Sequence, residues 1–586
     1  MIKLPTLQKV WAKARKVPPP CGNSSTTCLR VEGRQGYAFE LAVVAGLACF
    51  SFVVFYLRGG LTSPVVDLTS DAANIATMAA ALDFPEHFAR DSQFRNFKPR
   101  FYVALHVPLT RLLFRITGDY GHAFTLLLFP TLFGYLLAFY LLGSILFASR
   151  WYGLALALAN MVLIKGPRDT AWGPFKDALP RFTHAIAFAV VLALLWRWRN
   201  RPWFWPICFF IAGLGLYVHP VSTPALGLML VGACIAMGVY QGNLRKCILP
   251  TFVGVLAFCA PVLPYALAFT QAQFSLHVTE SPSLVEADEI ANILETRFTG
   301  HYLSPTHTVL EYFSRKYMLL GFLPCLLVGL VFAHSRAHEN TRAVGAMCVG
   351  LLVGLLVATV LTPVIFELLT PPWAATAFKG ELPRALRFIV PITYIVALAC
   401  CYDLQLRTTR RSRYVVYAAV GLAGLLAMVP LGPRAWRALE NFGRERTGKR
   451  TAVIELVMAV RQACDRTERV CAVMEDPLVI RYSAIRSLAF APKDIPDATS
   501  AARAREWVEN MRHLRTIKET EDWFLMLSRA LDWARKLEAR YVVVEKGRRF
   551  PGMSGISPEN LEATILFQNS EFVLLEVENV LPHTVQ

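Results

Sequence analysis

LTSPVVDLTSDAANIATMAAALDFPEHFARD, residues 61–91, follows the first long apolar run of the chain. Five acidic side chains stand in it, Asp67, Asp71, Asp83, Glu86 and Asp91, just after the chain leaves that run. A carboxylate at a bilayer edge carries a desolvation cost and needs a reason to be there. Asp67 and Asp71 are spaced i, i+4, which a helix would place on one face. Ser70 offers a cap, and the AANIATMAAAL that follows Asp71 is a good helix former. On a plain reading these are a helix cap and solvated loop charges. The alternative makes Asp71 a general base or a metal ligand at the membrane surface. Phe84, Phe88, Phe94, Phe97 and Phe101 suit pieces that lie along the interface, with Asp91, Lys98 and Arg100 among them.

Outward from that stretch, the composition sets the class. The 586 residues are 55% hydrophobic and 17% charged. Mean hydropathy is +0.41. Repeated apolar runs near 20 residues make such a chain a polytopic membrane protein. The formal charge of +18 lies largely in short basic loops, which is an orientation signal and not a nucleic-acid footprint. Eleven apolar runs are expected as spans: 37–57, 122–148, 151–164, 182–196, 203–218, 223–240, 249–270, 317–334, 343–367, 386–402 and 414–431.

One orientation satisfies every short basic loop. With the N-terminus in the cytoplasm, the inner loops hold Arg150; Arg197, Arg199 and Arg201; Arg245 and Lys246; Arg336 and Arg342; and Arg407, Arg410, Arg411 and Arg413. The outer loops are then 58–121, 165–181, 219–222, 271–316 and 368–385. Residues 1–36 form a basic tail without a cleavage site after the first run, so that run reads as a signal anchor. The membrane domain covers 37–432, and an odd span count puts residues 440–586 outside the cytoplasm. Within 440–586, short β-branched runs at Arg469–Met474, Tyr541–Val544 and Phe572–Val577 alternate with helical patterns at 501–513 and 522–538. That alternation predicts a small α/β domain. Most of the thirteen cysteines lie in apolar runs as packing residues, and Cys464 with Cys471 could pair in an oxidising compartment.

Outer-face cations run against the orientation bias and call for anionic partners. They are Lys165, Arg168 and Lys176 in IKGPRDTAWGPFKDALPRF, and Lys379, Arg384 and Arg387 in FKGELPRALRF. Arg presents a fork matched to phosphate oxygens. Lipid headgroups, or Asp169, Asp177 and Glu381, are the simpler partners. His219, in GLGLYVHPVSTP, is an ionisable residue at a membrane edge, or else a capped helix end. His301 and His307 share a loop with solvated acids.

Taken together, VVDLTSDAANIATMAAAL, FARDSQFRNF and PRALRFIVP resemble the GT-C superfamily of polytopic glycosyltransferases, over residues 37–430. The segment RYSAIRSLAFAPKDIP resembles the end domain of bacterial membrane proteins with this layout. The GT-C resemblance implies a membrane glycosyltransferase; one base with direct attack would make it inverting, and the short tail with no N-x-S/T sequon in the outer loops points to the bacterial inner membrane. The enzyme would move a sugar from a polyprenyl-phosphate donor to a lipid or glycan acceptor outside the cytoplasm, with the C-terminal domain periplasmic. The catalytic aspartate maps to Asp71, less well to Asp67, with Asp91 as the second acid. Arg384, Arg387, Lys379, Lys165, Arg168 and His219 are the candidate substrate-binding residues. A DxD motif is missing, so Mg2+ or Mn2+, with Asp71 and Asp91 as candidate ligands, stays open. Two other readings remain: a transporter or flippase for a lipid-linked or anionic substrate, and a non-catalytic assembly protein.

Overall fold

A computed structural model describes residues 33–57, 68, 70–94, 104–162, 164, 170–173, 178–277, 289, 293, 305–316, 318–335, 337–369, 382–407, 451–492, 494, 501–546 and 562–578. The chain divides into two units, Met1–Ala45 and Gly46–Gln586. Of the first unit, the described part is the opening of the helix Gly33–Leu57. Everything from Gly46 onward belongs to the second.

Among the described residues seven helices are long and apolar enough to cross a membrane. They are Ala38–Tyr56, Tyr120–Phe147, Pro180–Arg197, Thr223–Tyr240, Leu244–Leu267, Glu339–Ile365 and Leu382–Arg407. Thr308–Ser314 and Met318–His334 form a further apolar pair bent by 64° at the break between them, the geometry of a broken span or of a re-entrant loop. The run at 203–218 is the shorter apolar helix Pro202–Tyr217, and the run at 151–164 is the ten-residue helix Arg150–Ala159. The eleventh expected run, 414–431, lies outside the described residues. The chain is thus a polytopic helical membrane protein. Its exposed apolar side chains fit that class. Leu249, Phe252, Leu256, Leu263 and Leu267 recur at helical spacing along Leu244–His277, each more than half exposed. A stripe of that kind suits hydrocarbon and not water.

Small residues let the helices touch. A Cβ on Gly232 would come within 2.1 Å of the Gly350 carbonyl oxygen, and one on Gly354 within 2.2 Å of the Leu228 carbonyl oxygen. Thr223–Tyr240 and Glu339–Leu356 therefore meet backbone to backbone, the packing that takes the place of hydrophobic drive inside lipid.

The C-terminal region carries a five-stranded sheet: β1 Arg469–Val473, β2 Ser487–Leu488, β3 Tyr541–Glu545, β4 Ala563–Gln568 and β5 Phe572–Val577. The strand order is β2-β1-β3-β5-β4. β1 runs parallel to β2 and β3, while β5 is antiparallel to β3 and β4. Ala501–Glu519 and Trp523–Lys536 cover the sheet, burying Trp507, Trp523 and Trp533 with Val542, Val544 and Leu575. This is the expected α/β domain, with two strands beyond the three predicted. Cys464 and Cys471 are buried free thiols, and burial pushes the Cys464 thiol up to about 12, which makes it unreactive.

Asp119, at one end of Tyr120–Phe147, meets Arg461 at 3.5 Å. At the other end Phe147 packs on Tyr402, with ring centroids 5.6 Å apart. Arg407 and the helix at 451–463 thus stand toward opposite ends of the bundle.

Candidate functional site

The acidic stretch forms the helix Ser70–Asp83, with Asp71 in its first turn, where the helix dipole favours a carboxylate. The helix stops ahead of Pro85, and Phe84 before it has left the helical region, at φ −130° and ψ 59°. Asp83 anchors the end by accepting from Arg111 Nε and from the Tyr120 hydroxyl, each at 2.7 Å. Ala72, Ala73, Ala76, Ala79 and Ala80 are all buried, so the helix is enclosed on most sides. Asp71 is not enclosed: its side chain is 50% exposed, and Arg181 Nη2 lies 3.5 Å from Oδ2. Asp67, expected to share a helix face with Asp71, lies outside the described residues.

Three helix starts come together near Arg181, the partner of Asp71. Arg181 is the second residue of Pro180–Arg197. Arg387 precedes Ile389–Arg407. His219 and Ser222 precede Thr223–Tyr240. Cations are disfavoured at a helix N-terminus, and so are the orphan N–H groups there unless an anion meets them. Arginines in that position add to the helix dipoles and make a concentrated anion site.

Hydrogen bonds tie the three together. Arg387 Nη2 donates to Ser222 Oγ. Ser222 presents its hydroxyl (2.9 Å) and its backbone N–H (3.2 Å) to His219 Nδ1. Nδ1 is thus an acceptor, and Nε2 carries the ring hydrogen. Thr223 Oγ1 donates to the His219 carbonyl (3.1 Å), so it accepts from His184 Nε2 (3.2 Å). Burial, and then Arg387, hold the His219 imidazole well below its ordinary value, with His184, Arg181 and Arg384 pushing the same way. His219 is therefore a neutral N–H donor at neutral pH. A small cleft lined by Tyr135, Trp172, Gly173, Arg181, Phe182 and Arg387 lies between the two arginines. Trp172 is fixed by its indole N–H on Asn160 Oδ1 (2.8 Å).

Asp91 is placed elsewhere. It is fully buried, and Oδ2 accepts from Arg481 Nε and from the Leu488 N–H, each at 2.8 Å. Oδ1 accepts from the Gln93 N–H at 2.9 Å. Arg481, also fully buried, donates on to Asp494 Oδ1 at 2.6 Å and Ser92 Oγ at 2.9 Å. Burial by itself would lower the guanidinium's pKa, but Asp494 and Asp91 outweigh it and hold it above its ordinary value. In this setting Asp91 is the counter-ion of a buried arginine. It joins the first loop to the C-terminal domain and stands apart from Asp71 and Arg181.

Arg384 lies in the same turn as Arg387 and acts on His219. Lys165, Arg168 and Lys379 lie outside the described residues. The loop holding the first two is closed by paired backbone bonds between Ile164 and Trp172, and Trp172 lines the cleft. Among the described residues no three His, Cys, Asp or Glu side chains gather as a metal site. Sequence reading missed Arg181, His184, Ser222 and Thr223. For Arg181 the signal was present: a cation directly after Pro180, at the start of a helix.

No family model matches the chain. A search of curated proteins finds no match either. Among solved structures, the chain is similar to the crystal structure of ArnT from Cupriavidus metallidurans bound to undecaprenyl phosphate. The alignment covers 94% of this chain and 100% of that one, at 11% identity and a TM-score of 0.43. At that level of likeness neither a family nor any residue role follows.

Proposed function

We propose that the protein is an inverting glycosyltransferase of the bacterial inner membrane that takes its sugar from a polyprenyl-phosphate donor. One observation carries the reading. An exposed carboxylate, Asp71, is held 3.5 Å from the first of the arginines that crown converging helix starts. The resemblance of the acidic loop and of PRALRFIVP to the GT-C superfamily supports it. Asp71 removes the proton from an acceptor hydroxyl. The freed oxygen attacks the anomeric carbon of the sugar from the face opposite the phosphate. The bond between that carbon and the phosphate oxygen breaks, and the electron pair leaves with the phosphate. Arg387 and Arg384, with the His219 Nε2 hydrogen, meet the developing charge. The N-terminus is cytoplasmic in this reading, and the site and the C-terminal domain face the periplasm.

The test is transfer of radiolabelled sugar from polyprenyl-phosphate donors to membrane acceptors by the purified protein. Asp71→Asn is expected to lower kcat by about 10²–10⁴-fold, the range for loss of a general base. Full activity in that variant removes Asp71 from the role. Wild-type protein that transfers nothing from any donor overturns the class and favours transport of a lipid-linked substrate, which a flipping assay reads.

A further inference from the structure

The C-terminal segment that follows β1 grips the acidic helix at both of its ends. Upstream, the Leu68 N–H donates to the Tyr482 hydroxyl at 3.3 Å. Downstream, the Ser487 hydroxyl donates to the His87 carbonyl at 2.6 Å, and the Ser92 N–H donates to the Leu488 carbonyl at 3.1 Å. The Leu488 N–H and Arg481 hold Asp91, as described above. Between these pins the short helix Leu478–Tyr482 packs on Ser70–Asp83 itself.

Within the membrane bundle the gripped helix is pinned by side-chain bonds at its far end, where Asp83 meets Arg111 and Tyr120, while the end that carries Asp71 has the 3.5 Å contact with Arg181. Its buried face is largely alanine, and methyl groups make shallow knobs that permit rotation and sliding. Its height and angle are therefore set by what holds its ends. Transfer chemistry is sensitive to such placement, since a displacement of about 1 Å at the reacting groups can cost roughly 100-fold in rate.

We propose that the segment 478–494 sets Asp71 in register with Arg181, so that Arg481, Tyr482 and Ser487 are positioning residues for the reaction. The inference rests on the function proposed above. The C-terminal domain is then a working part of the transferase, although none of these three side chains lines the cleft at Arg181 and Arg387.

Arg481→Met strands two buried carboxylates and risks the fold, so the test uses Tyr482→Phe with Ser487→Ala in the full-length protein. Both changes keep side-chain shape and remove a hydroxyl. Hydrogen exchange is expected to speed up by about tenfold or more for amides of 70–83, a local opening. Amides of Thr223–Tyr240 and of β3 keep their wild-type rates. In the transfer assay kcat falls by about tenfold or more, while donor KM stays within about twofold, as loss of alignment without loss of binding requires. Unchanged exchange at 70–83 overturns the proposal. So does faster exchange throughout the molecule, which would mean a role in stability alone. Faster local exchange with unchanged kcat overturns it as well. If the wild type transfers nothing, the reading of function fails by itself, and the exchange arm still decides whether the segment holds the helix.

Discussion

Two aspartates twenty residues apart in one loop finish in opposite electrostatic settings. Asp71 is half exposed with an arginine at 3.5 Å, an arrangement worth only about 0.2–1 kcal/mol, so little is lost when its carboxylate turns to other chemistry. Asp91 is fully buried with Arg481, and breaking such a pair costs roughly 3–5 kcal/mol. Ser222 is the residue that most directly links the proposed phosphate-binding groups, since it accepts from Arg387 and donates to His219. Ser222→Ala leaves the guanidinium and the imidazole without their shared partner. The expected result is a donor KM raised by about 5- to 30-fold with kcat little changed, for a loss of about 1–2 kcal/mol. The transfer assay measures it. Asp71 was legible in the sequence because an acidic residue after an apolar run stands out there. Arg181 had a local signal after Pro180, but its pairing with Asp71 did not, because the two lie 110 residues apart and only the fold brings them together. The setting of Asp91 was equally hidden, since Arg481 belongs to another domain.

At the scale of elements, the apolar runs read well because lipid demands length and hydropathy, and both are local properties. What the runs do not show is which helices touch. GLLVG at 350–354 is a small-residue pattern, but its partner Gly232 lies more than a hundred residues away. Gly350→Leu puts a Cβ at 2.2 Å from the Gly232 carbonyl oxygen, where only backbone could yield. A loss of about 1–3 kcal/mol or more is expected, as for other overpacked sites, seen as a lower unfolding temperature in detergent. Gly321→Ala is the control, since a Cβ there meets nothing within 4 Å and the unfolding temperature should hold. In the sheet, the three predicted strands are those with nearly unbroken β-branched or apolar runs. β2 is only two residues long, and β4 is mostly half-buried, so neither carries a periodicity that could announce it.

Across the whole molecule, the membrane bundle and the α/β domain meet where residues 85–94 lie against residues 485–488. His87 stands at that junction, with Nδ1 at 3.3 Å from the Ile485 carbonyl. Burial holds its pKa below the ordinary 6.5; the Ile485 bond and Glu86 oppose the shift, and Arg486 and Arg466 add to it. Unfolded chains take up this proton near pH 6.5, and the folded protein only at lower pH. The contribution to stability is thus complete above about 6.5 and is lost as the pH falls from there through the folded value. Unfolding temperature measured from pH 7.5 to 5 should decline more steeply in the wild type than in His87→Gln. A further consequence concerns biosynthesis. The bond from Asp91 to Arg481 joins residues 390 positions apart. At ribosomal speeds of roughly 5–20 residues per second, the loop waits about 20–80 s for its partner to be made. During that interval the acidic helix has left the ribosome without the segment that grips it. If that segment sets Asp71 in register as proposed, a message truncated late in the reading frame would yield a protein that carries nearly every side chain of the proposed site and still lacks its alignment.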